Sequence, residues 1–358
     1  MKKTVRFAVI GSGWRSLFYW RIAKAYPELF QMTAMLCRTE EKAEKMKKEY
    51  GIPAVTSAKE LREGKPQFAV VAVNKASIAQ VTMEWAGAGY PVLCETPAAL
   101  TLVDLEALWN LRKQGARIQV AEQYFLYPAF AAALETVKKG YLGEVFAVDL
   151  SAAHEYHGAS LIRRFLGVGL ENATLTGKKY VFPVEETDSR YGPVSDGRVS
   201  MRERVRMTFD FEGGKSAFYD FDGIQYHSFI RSRHLKLQGQ RGELYDRTLR
   251  YVDKSHAVHE EFIREECIRQ GEGIKRVLLG DEILYENPFY RLGKPQLLPQ
   301  DETAVASLLL GMERYVEDGA ECYPLAEALQ DAYMRILMEE ALKSGAPVKS
   351  EDQVWKIN

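Results

Sequence analysis

Residues 5–16 read VRFAVIGSGWRS. The apolar run VRFAVIG (5–11) has the composition of a buried strand. It ends on two glycines, and WRSLFYWRIAKAY (14–26) then carries apolar residues at helical spacing. Gly11 and Gly13 allow a tight turn and close approach of the backbone to a pyrophosphate, which would lie on the N-terminus of the helix. The third glycine of a G-x-G-x-x-G pattern is replaced by Ser16, small enough for the helix–strand packing that position serves. Glycines also end many strands for turn reasons alone, so the surrounding pattern decides the matter.

That pattern repeats. MTAMLC (32–37), QFAVVAV (67–73), PVLCE (91–95) and RIQVAEQ (117–123) read as strands. Between them TEEKAEKMKKEYG (39–51), IAQVTMEWAGAG (78–89) and TLVDLEALWNLRKQG (101–115) read as helices, each with a glycine at its end. The alternation predicts an α/β fold, a doubly wound parallel sheet over residues 1–123. After Tyr124 the character changes. A helix at 128–139, a strand at 146–153 and a short helix near 158–166 precede many strand-like runs over 175–252, with a hairpin turn at EGG (212–214). Helical patterns return at 256–271, 303–318 and 325–344. The expectation for 124–358 is a second, α+β domain with a mostly antiparallel sheet and helices on one face.

The chain has 358 residues, 46% hydrophobic and 27% charged, which suits two globular domains. A net charge of −1 supplies no basic field for nucleic acid or an anionic membrane. Cys37, Cys94, Cys267 and Cys322 are scattered without a C-x-x-C pair, as expected of reduced thiols in a cytoplasmic protein. No segment approaches the roughly 20 apolar residues of a membrane span. The basic start MKKTVRFAVIGSG breaks at its glycines too early for a signal peptide. No cluster has metal-ligand spacing, and HAVHEEF (256–262) reads as a surface amphipathic helix carrying His256, His259, Glu260 and Glu261.

The second strand ends at Cys37-Arg38-Thr39. NAD sites usually place an acid here for the ribose hydroxyls, and this chain offers none before Glu40. Arg38 either stacks on adenine, meets a 2′-phosphate with help from Thr39, or is a solvated arginine at a helix start. The cofactor is therefore written NAD(P), leaning to NADP.

Three segments together resemble the Gfo/Idh/MocA oxidoreductases, the glucose–fructose oxidoreductase and inositol dehydrogenase group. They are AVIGSGWRS, the stretch VVAVNKASIAQVTMEWAGAGYPVLCETP, and AEQYFLYPAF with the later LGEVFAVDL. The resemblance implies a dinucleotide-binding domain beside a domain with a large open sheet, which often makes homodimers or homotetramers. It implies NAD(P)-dependent hydride transfer on a secondary alcohol of a small-molecule carbohydrate or polyol. Some members instead cleave glycosides with a retained NAD, and a few only sense ligands. On this basis the cofactor set is Gly11, Gly13, Trp14, Arg15, Ser16, Arg38, Thr39, Asn74, Glu95, Pro97 and Gln123. The nicotinamide is expected near Asn74 and Glu95–Pro97. The chain departs from the family at Lys75, which replaces a frequent asparagine, and at Ile78, which replaces a frequent histidine. It departs most at Thr96, where Glu-Lys-Pro has its lysine. Threonine hydrogen-bonds but is no base near neutral pH.

A proton acceptor must then come from elsewhere, and histidine is the side chain tuned for it. HEYHGASLIRRFLG (154–167) holds two, and the resemblance puts His157 on the active-site histidine of the family, with Ala153 where an aspartate usually stands. The expected catalytic set is His157, His154 and Thr96. For substrate contact the candidates are Tyr124, Tyr156, Arg163 and Lys178. Against these stand capping or a structural hydrogen bond for His157, and a solvated edge for Lys178 and Lys179. Tyr226, His227, Arg231 and Arg233 are expected on a strand within 224–239.

Overall fold

The computed structural model describes residues 4–189, 191–269, 272–294 and 297–356. In chain order the first elements are β1 (Val5–Ile10), α1 (Ser16–Ala25), β2 (Phe30–Leu36), α2 (Glu40–Tyr50), β3 (Ala54–Val55), α3 (Ala58–Glu63) and β4 (Phe68–Val71). Then come α4 (Ile78–Gly87), β5 (Val92–Cys94), α5 (Leu102–Lys113) and β6 (Ile118–Val120). Among the described residues these strands form a parallel sheet in the order β3-β2-β1-β4-β5-β6. The strand order reverses between β1 and β4, which opens a crevice at their C-terminal ends.

The strands are apolar throughout because both faces are covered. Ala8 and Ile10 join Ile78, Trp85, Leu105 and Leu108 on one side. Val5, Phe7 and Val9 join Tyr19 and Ile22 on the other. Short helices start where a side chain can satisfy a free amide: Thr39 and Thr101 each accept from the amide three residues on, and Ser57 forms a capping box with Glu60.

The chain continues through α6 (Pro128–Lys138), β7 (Val145–Ser151), α7 (Glu155–Leu166), β8 (Ala173–Glu185), β9 (Asp188–Ser189), β10 (Gly192–Pro193), β11 (Val199–Phe211) and β12 (Ser216–Asp222). The meander β13 (His234–Gly239), β14 (Gly242–Tyr245), β15 (Thr248–Val252), β16 (Val258–Arg269), β17 (Glu272–Leu279) and β18 (Glu282–Glu286) follows. Last are α8 (Pro288–Arg291), α9 (Gln300–Asp318), α10 (Leu325–Ser344) and β19 (Val348–Lys349). Among the described residues the second sheet runs β18-β17-β16-β15-β14-β13-β7-β12-β11-β8-β19, antiparallel except between β7 and β12. The predicted α/β architecture with a large, mostly antiparallel second sheet is what forms.

Helices α7 and α10 cover one face of this sheet. Ala217, Tyr219 and Phe221 of β12 are buried there with Tyr156, Phe165, Leu329 and Met334. The alternate residues of the strands face away, so Tyr180, Phe182 and Phe218 are 37%, 48% and 53% exposed. α9 does not stay with this sheet. Its Val305, Leu308, Leu309 and Met312 enter the layer formed by Phe7, Val9, Tyr19 and Ile22, so a helix from late in the chain adds to the cover that α1 gives one face of the first sheet.

Two sequence expectations fail. The span 256–271 is not a helix: Val258–Arg269 is β16, paired with β15 on one side and β17 on the other. Gln270 and Gly271 of that span lie outside the described residues. Its glutamates and arginines favour helices in isolation, but two flanking strands satisfy its backbone and override propensity. His259 accordingly meets Asp253 at 2.8 Å and stacks on Tyr251. Within 224–239 only His234–Gly239 is a strand. Tyr226 closes a 3₁₀ turn (Gly223–Tyr226) capped by Asp222, while His227, Arg231 and Arg233 lie between that turn and β13. Strands β17 and β18 have no counterpart in the sequence reading.

Candidate active site

The crevice at the ends of β1, β2 and β4 is a cleft of about 1000 Å³. Its wall includes Gly11, Ser12, Gly13, Trp14 and Arg15 after β1, Arg38, Thr39 and Lys42 at β2, and Asn74 and Ser77 after β4. Gly11 has φ +112°, and a Cβ there would meet the Ala72 carbonyl oxygen at 2.4 Å, so only glycine fits. Gly13 is different. Nothing in the protein lies within 4 Å of where its Cβ would be, so the space in front of it belongs to the cleft. Ser16 is buried and donates its hydroxyl to Ala72 O at 3.4 Å, drawing α1 onto β4. Asn74 lines the cleft and accepts from the Ser77 amide at 3.0 Å.

Glu95, just past β5, is buried, and its Oε1 accepts from Arg15 Nε at 2.6 Å and from Tyr19 OH at 2.5 Å. The following Thr96–Pro97 peptide is cis, and the Thr96 side chain is half-buried. Among the described residues Arg15 Nη2 and Gln123 Oε1 are buried polar atoms with no partner. Among the described residues no aspartate or glutamate lines the cleft. An open glycine, unsatisfied polar atoms and a wall free of carboxylates fit an anionic dinucleotide.

The histidine segment meets this edge. Glu122, fully buried two residues after β6, accepts from the Tyr124 amide at 2.8 Å through Oε1. Its Oε2 lies 2.5 Å from His157 Nδ1, in the first turn of α7. The Tyr124 ring stacks on the His157 imidazole with centroids 4.2 Å apart, and on Tyr127 at 4.7 Å. Tyr124 OH donates to Tyr226 OH at 2.9 Å, and the same oxygen accepts from the His154 amide at 3.0 Å. The remaining Tyr226 proton is therefore the one directed at His154 Nδ1, 2.8 Å away. That places the His154 ring proton on Nε2.

Burial pushes the Glu122 carboxyl up to about 8, and Glu95 adds to the push. Burial also takes His157 down to about 3, with the Arg15 and Lys75 charges in the same direction and Glu95 opposing. His154 falls to about 3 for the same first cause, helped by His157. Both histidines are thus held neutral, one against a carboxyl and one against a phenol.

Of the residues expected at the site, the structure gathers Gly11, Gly13, Trp14, Arg15, Arg38, Thr39 and Asn74 on the cleft wall. It gathers Glu95, Tyr124, His154 and His157 around the buried carboxylates. Tyr156 is fully buried beside His157, its hydroxyl without a partner among the described residues. Two candidates are not brought there. Arg163 is 2% exposed and spends its guanidinium on Gly169 O, Glu327 and Asp331, bracing α7 to α10. Lys178 lies on β8 over Tyr180, on the face turned from the helices. Glu122 is the residue that sequence reading misses. The one available signal is an acid just beyond an apolar strand end, in the same layer as Glu95. Among the described residues no cluster of three His, Cys, Asp or Glu side chains could hold a metal ion. No helix among them is long and apolar enough to cross a membrane.

Residues 5–122 match the Gfo/Idh/MocA oxidoreductase family, described as an NAD-binding Rossmann fold. No curated protein matches the chain in sequence. Solved structures of the same architecture cover nearly all of it. An oxidoreductase from Agrobacterium radiobacter, in complex with NAD+, L-tartaric acid and magnesium, is 16% identical with a TM-score of 0.69, over 97% of this chain and 98% of its own. A myo-inositol dehydrogenase from Corynebacterium glutamicum is 16% identical with a TM-score of 0.66, over 98% and 100%. Levoglucosan dehydrogenase in complex with NADH is 15% identical with a TM-score of 0.67, again over 98% and 100%. At such identities the likeness speaks for the fold, and the match over 5–122 speaks for the kind of domain. The glycine turn, the cleft and this match together make residues 5–122 an NAD-binding Rossmann domain of the Gfo/Idh/MocA oxidoreductase family.

Proposed function

We propose that the protein transfers a hydride between NAD(P) and a secondary hydroxyl of a sugar, glycoside or polyol. Residues 1–123 form its cofactor domain and 124–358 its substrate and oligomerisation domain, and it works as a homo-oligomer in the cytoplasm. The observation that carries this reading is the buried Glu122–His157 pair, 2.5 Å apart, within reach of the charges of Arg15 and Glu95. A proton-handling pair at that edge answers the absence of a lysine at Thr96.

Bound NAD(P) supplies the hydride acceptor, or the donor in reverse. Backbone amides of the Gly11–Arg15 turn would hold its pyrophosphate. The Arg15–Glu95–Tyr19 cluster fixes the end of β5, so Thr96 offers its hydroxyl as an orienting hydrogen bond and not as a base. His157 accepts the alcohol proton at Nε2, and its Nδ1 side is held by Glu122, so the charge that forms is not left unpaired in a buried site. His154 keeps its proton on Nε2 and donates it to a substrate oxygen. The Tyr124 ring holds the His157 imidazole flat against it.

The test is a screen of sugars, glycosides and polyols for absorbance of reduced nicotinamide, then His157→Ala with the best substrate. The expected loss is about 10²–10⁴-fold in kcat/KM with nucleotide affinity unchanged. Wild-type turnover in that variant would sink the assignment. Thr96 favours a second reading, in which the cofactor is retained through a closed redox cycle or only bound. Cofactor that survives dialysis supports the closed cycle, and no oxidation of any compound in the screen supports binding alone.

A further inference from the structure

We propose that the β2 end of the cleft is a 2′-phosphate site, so that the protein takes NADP(H) in preference to NAD(H). The inference rests on the cofactor assignment above and goes beyond it to the choice of nucleotide. Three cations stand on the cleft wall: Arg15, Arg38 and Lys42. Arg15 is paired with Glu95 through its Nε. The other two are not. Among the described residues neither the Arg38 guanidinium nor the Lys42 ammonium has a hydrogen-bond or ion-pair partner. On the same helix, Lys45 pairs with Glu49 and Lys47 with Glu44, so partners are at hand for cations that turn outward.

The acids nearby are accounted for. Among the described residues no carboxylate lines the cleft. Glu40 accepts from the Thr56 hydroxyl at 3.1 Å, and Glu60 accepts from the Thr56 amide at 3.3 Å. An acid at the end of β2 would accept from both ribose hydroxyls of NAD, whereas cations there accommodate a phosphate in place of the 2′-hydroxyl. The Thr39 hydroxyl accepts the Lys42 amide at 3.2 Å as the cap of α2, which leaves its own proton free to donate. That bond fixes the Lys42 backbone while its side chain borders the cleft. Arg38 presents a planar fork suited to a phosphate, and Lys42 adds a point charge. A wall with two unspent cations and no acid therefore discriminates in favour of the nucleotide with the extra dianion.

Binding decides this without turnover. The dissociation constants of NADP+ and NAD+, and of 2′,5′-ADP and 5′-AMP, are measured by calorimetry on the whole protein. Wild type is expected to bind each 2′-phosphate compound at least about tenfold more tightly than its partner. Arg38→Ala and Lys42→Ala each reduce that ratio about tenfold or erase it. The double variant binds both nucleotides alike, with melting temperature unchanged. Raising KCl from about 50 to about 500 mM narrows the wild-type gap, since both cations border solvent. Equal or tighter binding of NAD+, or a preference that persists in the double variant, overturns the 2′-phosphate site alone. Binding of neither nucleotide overturns it together with the cofactor assignment.

Discussion

Glu122 and His157 titrate as a unit, and the sign of their effect on the reaction follows from burial. With one proton shared between them the pair is neutral, and adding another makes a buried cation, which His157 resists down to about 3. Removing the shared proton leaves an anionic pair, which Glu122 resists up to about 8. The anionic pair is therefore the good acceptor, since taking the alcohol proton returns it to neutrality. Oxidation should rise with pH through an apparent pKa near 8, and reduction should fall through the same value. In Glu122→Gln this limb disappears from kcat/KM, and a limb unchanged in that variant would assign the titration to another group. The histidines are legible in sequence because a helix opening carries them. Glu122 is not, because it acts from the end of β6, 35 residues earlier, where no local pattern marks it. Arg163 misleads for the same reason. Its helix is readable, but its direction is set by Asp331 and Glu327 on a helix far along the chain.

Most elements of the first sheet are legible because their strands are buried on both faces and most of their helices close at or near a glycine, while the short β3 and α3 have no counterpart in the sequence reading. β16 is not legible either. Its composition of glutamate, arginine and histidine suits a helix until β15 and β17 are in place on either side. Nor does periodicity reveal where a helix docks, and α9 is the instance. It reads as an amphipathic helix of the second half, yet Leu309 is fully buried in the layer of Phe7, Tyr19 and Ile22. Leu309→Ala should cost about 2–5 kcal/mol, read as a lower denaturant midpoint. Loss of NAD(P) affinity should accompany it near that midpoint, because the layer carries β1 and its glycine turn. A variant as stable as wild type would show that α9 is not held by this contact.

At the scale of the molecule, the second sheet keeps one face uncovered. Tyr180, Phe182 and Phe218 stand on it among Lys178, Arg204 and Arg206, a mixture of apolar patch and charge suited to a second copy of the chain. Light scattering at micromolar concentration is expected to give a dimer or tetramer mass, and Phe218→Glu with Phe182→Glu to give a monomer. A monomeric wild type would refute the assembly. The docking of α9 has a further consequence for how the chain is made. A ribosome finishes the strands of the first sheet about 180 residues before it supplies Val305 and Leu309. At roughly 5–20 residues per second that interval lasts about 10–35 s. For that time the face of the nascent sheet that carries α1 lacks the part of its apolar cover that α9 supplies, a natural hold for a chaperone at the tunnel exit.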